Sequence, residues 1–206
     1  YGRNLGLDNT EIGYFMTSIM VGTLLLQYPV GRLSDKFDRR AVILGASTSA
    51  AVCIAIASFF DANQFILLLI FTMVFGGLTF SLYSLFIAHA NDFLPPSQMV
   101  AVSSGLLMVN GAGAVVGSPF AATIIEIFGS RSFMPAIALI LVVISGFVLL
   151  RMRMRDAVPT EAQGPFVAFP ETLTSVAAGL NPEAEWTETA EEEDAADPFK
   201  DNPYIN

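Results

Sequence analysis

Five long apolar segments constrain this chain more than any other feature of its sequence. They run over about residues 11–30, 41–60, 65–90, 99–128 and 133–150. A helix needs about 20 apolar residues to cross the hydrocarbon core of a bilayer. Lipid offers no partner to backbone polar groups, so a single crossing segment has to be a helix. The pattern therefore predicts an all-α integral membrane domain over residues 1–155, with five transmembrane helices.

Two other folds fit these segments poorly. A transmembrane β-barrel strand alternates apolar and polar residues over about ten positions, whereas residues 65–71 read FILLLIF without alternation. A soluble helical bundle needs a polar face on each helix, and these segments have almost none. We therefore expect the bilayer to be the direct partner of residues 1–155.

Charge divides the chain at about residue 156. Residues 1–155 contain nine basic and seven acidic side chains, and residues 156–206 contain twelve acidic side chains and one Lys. The second part is rich in Pro, Ala and Glu and cannot bury enough apolar surface to fold alone. We expect a disordered acidic tail over residues 156–206. The alternative is a binding role for the tail through Trp186 or residues 197–199.

The basic residues also predict an orientation. Cytoplasmic loops of membrane proteins carry an excess of Lys and Arg, and short links make successive helices antiparallel. One side has seven basic residues: Arg32, Lys36, Arg39, Arg40, Arg151, Arg153 and Arg155. The opposite side has only Arg3 and Arg131. The first loop and the C-terminus are therefore expected in the cytoplasm. Residues 1–10 then lie outside, and because no signal peptide is recognisable we expect a further helix upstream.

The loop between the first two segments is the most informative stretch of the sequence. Residues 31–40 read GRLSDKFDRR. Gly31 allows the end of one helix to approach a neighbour closely. Asp35 lies near the membrane surface, where a carboxylate needs a cation, and Arg39 is four residues further on. By composition alone, the loop is equally well interpreted as a basic cytoplasmic loop with incidental acidic residues.

This loop resembles the signature of the major facilitator superfamily, Gly-x-Leu-Ala-Asp-Arg-x-Gly-Arg-Lys. Four positions match directly: Gly31, Leu33, Asp35 and Arg39. Three are conservative replacements, Ser34, Lys36 and Arg40, and Asp38 stands where the family usually has Gly. In the family this loop takes part in a cytoplasmic charge cluster that locks the inner gate. The resemblance therefore implies a gating motif made of five residues: Gly31, Asp35, Lys36, Arg39 and Arg40.

The resemblance covers about residues 1–155 and implies the C-terminal half of such a transporter. The third segment lacks the intramembrane Arg that often marks the family's fourth helix, and a soluble tail follows the fifth segment. The five segments would be helices eight to twelve, so an N-terminal half is an expected partner. Residues 82–92 and 111–117 look like a bacterial branch of the family, which implies a bacterial inner membrane.

Polar residues within the apolar segments are the candidates for function, because each is unfavourable in lipid. The deeper ones are candidates for lining a solute cavity: Gln27, Tyr83, Ser84 and Asn110. His89 and Asp92 lie at the cytoplasmic end of the third segment, one helical turn apart, and can interact. They are candidates for carrying a proton or for the gate, while a satisfied interfacial His is the alternative.

The fourth segment is rich in residues that permit close packing or bending of a helix. These are Gly105, Gly111, Gly113, Gly117 and Pro119. Packing and a bend used in alternating access are both consistent with the pattern. A dinucleotide-binding loop is excluded because no strand precedes these glycines.

The leading hypothesis is a secondary active transporter for a small solute, with a coupling proton as a family expectation. The alternative is a membrane scaffold whose acidic tail recruits a partner. An enzyme is not expected, because the polar residues do not form a recognisable reactive set. We also expect no cofactor, no metal site and no nucleic-acid partner. The one cysteine, Cys53, lies in an apolar run and suggests a buried apolar side chain.

Overall fold

Five long helices make up most of the computed structural model, which describes residues 1–94 and 96–154. They are α1 Asn9–Lys36, α2 Arg39–Ala57, α3 Phe65–Asn91, α4 Pro96–Phe128 and α5 Phe133–Met154. Short 3-10 turns at Gly2–Leu5, Ala62–Gln64 and Ser130–Ser132 precede α1, α3 and α5. The described ranges contain no strand, and the predicted all-α class is confirmed. The predicted acidic tail, residues 156–206, lies outside the described residues.

Local sequence explains where several helices begin. Asp8 and Glu11 form a reciprocal capping box before α1, because each carboxylate accepts a hydrogen bond from the other residue's backbone N–H. Asp38 accepts a hydrogen bond from the Arg40 backbone N–H at 2.9 Å and starts α2. Gly129 has a φ of 84°, a conformation that favours glycine, and it separates α4 from α5.

Four of the described helices are long and apolar enough to cross a membrane. The corresponding ranges are Arg39–Ala57, Ala62–Asn91, Val102–Phe128 and Ser130–Met154. The first expected span, α1, has 28 residues and is long enough, but it is less apolar than the other four. Much of the difference comes from four polar side chains: Thr17, Ser18, Thr23 and Gln27. Each of them makes a hydrogen bond within the protein, which reduces its cost in lipid.

Helix α3 is the centre of the packing, with α1 and α2 against it and α5 against α2. Glycines allow α1 and α3 to cross at backbone contact. A Cβ atom on Gly22 would overlap the backbone carbonyl of Met73, and one on Gly76 would lie 2.7 Å from the Ile19 carbonyl oxygen. A Cβ atom on Gly77 would overlap the Gly22 carbonyl. These glycines were not among the predicted packing residues.

Two pairs of hydroxyl groups also join helices inside the bundle. Ser18 on α1 and Thr72 on α3 have their hydroxyl oxygens 3.1 Å apart. Ser145 on α5 donates to the Ser47 hydroxyl on α2 at 2.8 Å, and both side chains are buried. Such pairs satisfy polar groups that would otherwise be unpaired in an apolar environment.

Helix α4 lies at the margin of the bundle. None of its described side chains is buried, in contrast to those of the other four long helices. The four glycines predicted for packing or bending have no atom within 4 Å of an added Cβ. They therefore make no close helix contact in the described part of the chain. Pro119 lies inside the helix.

The ends of the helices opposite the α1–α2 loop are joined by a layer of polar and aromatic contacts. Arg131 donates to the Asp61 carboxylate at 2.8 Å, and the pair is largely exposed. Asn4 donates to the Ser130 hydroxyl. The Tyr1 ring lies beside Phe133. Partial burial raises the pKa of the Tyr1 phenol above its ordinary value. These contacts hold the segment before α1 against the α2–α3 and α4–α5 links.

Candidate functional site: a charge cluster at the helix ends

Arg39, the first residue of α2, is the centre of a charge cluster at the end of the bundle that carries the α1–α2 loop. Its side chain is only 1% exposed. Nε donates to the Ser34 hydroxyl at 3.1 Å, and Nη1 donates to the Asp92 carboxylate at 2.6 Å. Nη2 lies 3.8 Å from the Asp35 carboxylate. The guanidinium thus connects α1, α2 and the end of α3.

The two carboxylates differ in distance and burial. The Asp92 side chain is 2% exposed, whereas that of Asp35 is 40% exposed. An ion pair inside a low-dielectric environment interacts more strongly than one screened by water. Asp92 is therefore the principal counter-ion of Arg39, and Asp35 adds a weaker interaction from the exposed side.

The Arg39–Asp92 contact was not predicted from the sequence, although both residues were candidates. The sequence paired Asp35 with Arg39, which follows four residues later in the same loop, and His89 with Asp92, which is one helical turn away. A cue did exist. Asp92 is the C-cap residue of α3, and a carboxylate is unfavourable at the negative end of a helix dipole. Asp92 therefore needs a cation, and the antiparallel order of helices brings the start of α2 to the same end.

The remaining residues of the predicted gating motif surround Arg39. Gly31 is buried near the end of α1, consistent with a close approach of helices. Arg40 lies 3.4 Å from the Asp38 carboxylate in a partly exposed pair. Lys36 is the last residue of α1 and is exposed. The structure therefore brings together the five motif residues at one end of the bundle, with Arg39 as the buried charge.

His89 lies beside this cluster on α3 and is about half-buried. Its ring meets the Phe93 ring edge to face, with centroids 5.2 Å apart. The predicted interaction of His89 with Asp92 is not formed, because the Asp92 carboxylate turns to Arg39. His89 instead lines a groove with Arg40 and Arg151.

Two of the four cavity candidates meet between α1 and α3. The Gln27 amide Nε2 donates to the Ser84 hydroxyl at 3.4 Å, and Ser84 is fully buried. Tyr83 is the neighbour of Ser84 on α3 and is half-buried. Asn110 lies on α4 and makes no hydrogen bond to Gln27 or Ser84 in the part of the chain that the structure describes. The polar contact is therefore a seam between α1 and α3.

Within residues 1–94 and 96–154, no three His, Cys, Asp or Glu side chains lie close enough together to hold a metal ion. The charges of the cluster around Arg39 are instead satisfied by one another. Its geometry suits an ionic connection between helix ends, which can form and break as the helices move.

Comparison with known proteins places this arrangement in a family. The model of the Major Facilitator Superfamily matches residues 1–191. Curated relatives named "Uncharacterized MFS-type transporter YcaD" occur in Shigella flexneri, Escherichia coli strain K12 / DH10B and Salmonella paratyphi B. Each is 28% identical over 157 residues, a range that covers 76% of this chain and 38% of the relative. No solved structure matches the chain.

Proposed function

The chain belongs to the major facilitator superfamily, and on that premise we propose that it is part of a secondary active transporter for a small solute. It is an integral membrane protein with bacterial relatives. The chain spans 38% of the length of the curated relatives that it matches, so the proposed activity is that of a longer protein. In such folds the solute site lies between two repeats that rock against each other.

We assign the five helices to positions eight to twelve of twelve, in the C-terminal half of the transporter. The reasons are the absence of an intramembrane Arg on α3 and the acidic segment that follows α5. The partner is then an N-terminal half. Exposed apolar side chains on α1 and α4 offer a surface for the helices of that half: among them are Met20, Leu24, Met108 and Val116.

The observation that carries the proposal is the burial of Arg39 between Asp92 and Ser34, with Asp35 at its exposed side. A buried cation is stable only while its partners are present. Closing the helix ends forms this cluster, and opening them hydrates it. The cluster therefore provides an inner gate whose closed state is favoured by the Arg39–Asp92 pair. The basic residues around it support a cytoplasmic position for this end.

Gln27 and Ser84 are the best placed of the solute-contact candidates. They form a polar contact between α1 and α3, and Tyr83 precedes Ser84 on α3. A hydrogen bond of 3.4 Å is long, so a solute with a hydroxyl or amide group can replace it at small cost. Asn110 joins the site only if α4 moves toward α3. A coupling proton is part of the proposal, and His89, at the edge of the gate, is its candidate carrier.

The gate is tested by thiol accessibility in the full-length protein freed of its own cysteines. Gln27→Cys reports access to the seam from the cytoplasmic side, measured with a membrane-impermeant maleimide on inside-out vesicles. Arg39→Gln should raise the labelling rate, because it leaves the gate without its central cation. Arg32→Gln is the matched control, since Arg32 is in the same loop but lies over the Tyr28 ring. Equal labelling of the two variants would contradict the gate.

The second candidate function is a membrane scaffold, and the observation that favours it is the charge of residues 156–206. That segment has twelve acidic residues and one Lys. Deleting it separates the two candidates. A transporter should keep the accessibility change at position 27, whereas a scaffold should lose a co-purifying partner and show no such change.

A further inference from the structure

A groove of about 660 Å³ opens between α2, α3 and α5, next to the charge cluster. Helix α2 contributes Arg40 and Ile43, and α3 contributes Phe86 and His89. Helix α5 contributes four apolar side chains between Val143 and Val148, and then Arg151. Arg40 also belongs to the gating motif, and His89 is the proposed proton carrier. The buried pair of Arg39 with Asp92 and the seam of Gln27 with Ser84 do not line the groove.

The groove is polar at one end and apolar along the rest of its length. Arg40, His89 and Arg151 all lie within the terminal turns of their helices, at the same end of the bundle. The apolar lining residues lie one or two turns deeper. At 1.5 Å per residue, Arg151 and Val143, which are eight positions apart, are separated by about 12 Å along the helix. This depth fits within one leaflet, since half of the hydrocarbon core is about 15 Å.

Charge identifies the kind of occupant that suits the polar end. Six basic and three acidic residues are described at this end of the bundle. Arg39 is matched by Asp92 and Asp35, and Arg40 by Asp38. Arg151 forms no ion pair with any described residue, and it lines the same groove as Arg40. A guanidinium binds phosphate oxygens with two parallel hydrogen bonds.

We propose that this groove binds an anionic phospholipid of the adjacent leaflet, with its phosphate at Arg151 and Arg40 and one acyl chain along α5. Only a molecule with an anionic end and an apolar body complements both ends of the groove. Lipid is such a molecule, and it reaches an opening at membrane depth without crossing water. Basic pockets between transmembrane helices are known to hold acidic lipid headgroups at this level. The proposal is independent of transport.

The test uses the full-length protein, purified in detergent and mixed with phosphatidylglycerol or phosphatidylcholine. Native mass spectrometry counts the lipids that stay bound. Phosphatidylglycerol should be retained in preference to phosphatidylcholine. Arg151→Gln should weaken its retention about tenfold, since a hydrogen bond to a charged group contributes about 1.5 kcal/mol. Arg153→Gln is the matched control, because it removes the same charge two residues away without lining the groove.

A second variant tests the apolar part of the site. Val148→Trp fills the groove without changing its charge and should also reduce retention of phosphatidylglycerol. Inorganic phosphate distinguishes a lipid from a free anion. If millimolar phosphate displaces all of the bound lipid while Val148→Trp has no effect, the site takes a phosphate ion only and the proposal fails.

Two further outcomes would overturn the proposal. One is equal retention by Arg151→Gln and Arg153→Gln, which would mean that the lipid binds to charge in general. The other is that phosphatidylglycerol binds at the groove only after residues 156–206 are deleted. The acidic segment of the chain itself, and not lipid, would then be the occupant. Retention that depends on Arg151 and on Val148 in the intact chain supports a lipid site.

Discussion

Arg39 shows how a single buried charge can hold several helix ends together. Taking a guanidinium out of water is expensive unless its partners are in place. Here Arg39 belongs to α2, and its partners come from two other helices, since Ser34 belongs to α1 and Asp92 caps α3. The strongest contact spans 53 residues of sequence. The stability of this end therefore depends on the relative position of the helices and not on any one loop.

Replacing Asp92 by Asn should destabilise the protein strongly, because it leaves Arg39 buried without its main counter-ion. Removing one partner of a buried pair typically costs about 3–5 kcal/mol. Thermal unfolding of the full-length protein in detergent measures the effect. The matched control is Asp61→Asn, which breaks the exposed pair with Arg131 and should cost about 0–1 kcal/mol.

A double variant adds a sharper check on the same pair. Arg39→Met with Asp92→Leu removes both charges and should recover much of the stability lost in Asp92→Asn, because apolar replacement of a buried pair is often neutral. If Asp92→Asn unfolds at the same temperature as Asp61→Asn, the buried pair is not a main stabilising contact.

The residues of the cluster were within reach of sequence reasoning, but their pairing was not. Closeness in one loop relates Asp35 to Arg39, and helical spacing relates His89 to Asp92, because residues one turn apart share a face. Spacing in the sequence contains no information on contacts between α2 and α3. The pairing of Arg39 with Asp92 depends on which ends of the helices meet and on how far each is buried. Only the packed structure supplies both.

At the scale of the helices, the closest packing occurs between α1 and α3. Small residues permit two helices in a membrane to approach until their backbones touch, and Gly22, Gly76 and Gly77 do this here. The sequence drew attention to the glycines of α4 because they are numerous. Their density says nothing about a neighbour, however, and no atom lies within 4 Å of a Cβ added to Gly105, Gly111, Gly113 or Gly117.

Gly22→Ala should separate α1 from α3, because its Cβ would overlap the backbone of Met73, which cannot rotate away. Overpacking of this kind typically costs about 1–3 kcal/mol and sometimes more. Gly13→Ala on the same helix is the matched control, since nothing lies within 4 Å of its added Cβ. The control should be neutral or slightly stabilising, because Ala favours a helix over Gly by about 1 kcal/mol.

Thermal unfolding in detergent measures the stability of the two variants. Disulfide trapping reports how closely α1 and α3 approach each other. In a cysteine-free background, Ser18→Cys and Thr72→Cys should cross-link readily, because their hydroxyl oxygens are 3.1 Å apart. Gly22→Ala should slow the cross-linking and Gly13→Ala should not. If Gly22→Ala leaves both the stability and the cross-linking rate unchanged, the close crossing of α1 and α3 is not formed in the membrane.

At the scale of the whole molecule, apolar length allowed the number and type of the long helices to be predicted. Composition could not reveal that α3 is the central helix or that α4 lies outside the core. Both facts arise from packing between segments that have nearly the same apolar character. The distribution of basic residues adds an orientation, which remains a prediction about the molecule in its membrane.

The predicted orientation can be measured with single cysteines in the full-length protein freed of its own cysteines, Cys53 included. Lys36 and Asn63 are exposed and lie in the link regions at opposite ends of the bundle. In intact cells, a membrane-impermeant maleimide should label Asn63→Cys and not Lys36→Cys. In inside-out vesicles the pattern should be reversed. Labelling of Lys36→Cys in intact cells would show that the first loop lies outside.

Residues 1–206 alone should not transport solute, because a pathway between two repeats needs both of them. This follows from the proposed assignment to one half of a longer transporter. Proteoliposomes that contain only these residues should show the same solute flux as empty liposomes. The full-length protein is the positive control. Flux through residues 1–206 alone would require a pathway formed within this chain or between its copies.

The distance in sequence between Arg39 and Asp92 has a consequence for biosynthesis. Ribosomes add roughly 5–20 residues per second, so Asp92 emerges about 3–10 s after Arg39. During that interval the nascent hairpin of α1 and α2 carries a cation without its permanent counter-ion, which must stay near the lipid headgroups. Arg39, at the start of α2, therefore cannot take its buried position until α3 has been inserted. A ribosomal pause between the two residues would prolong an immature intermediate and expose it to membrane quality-control proteases.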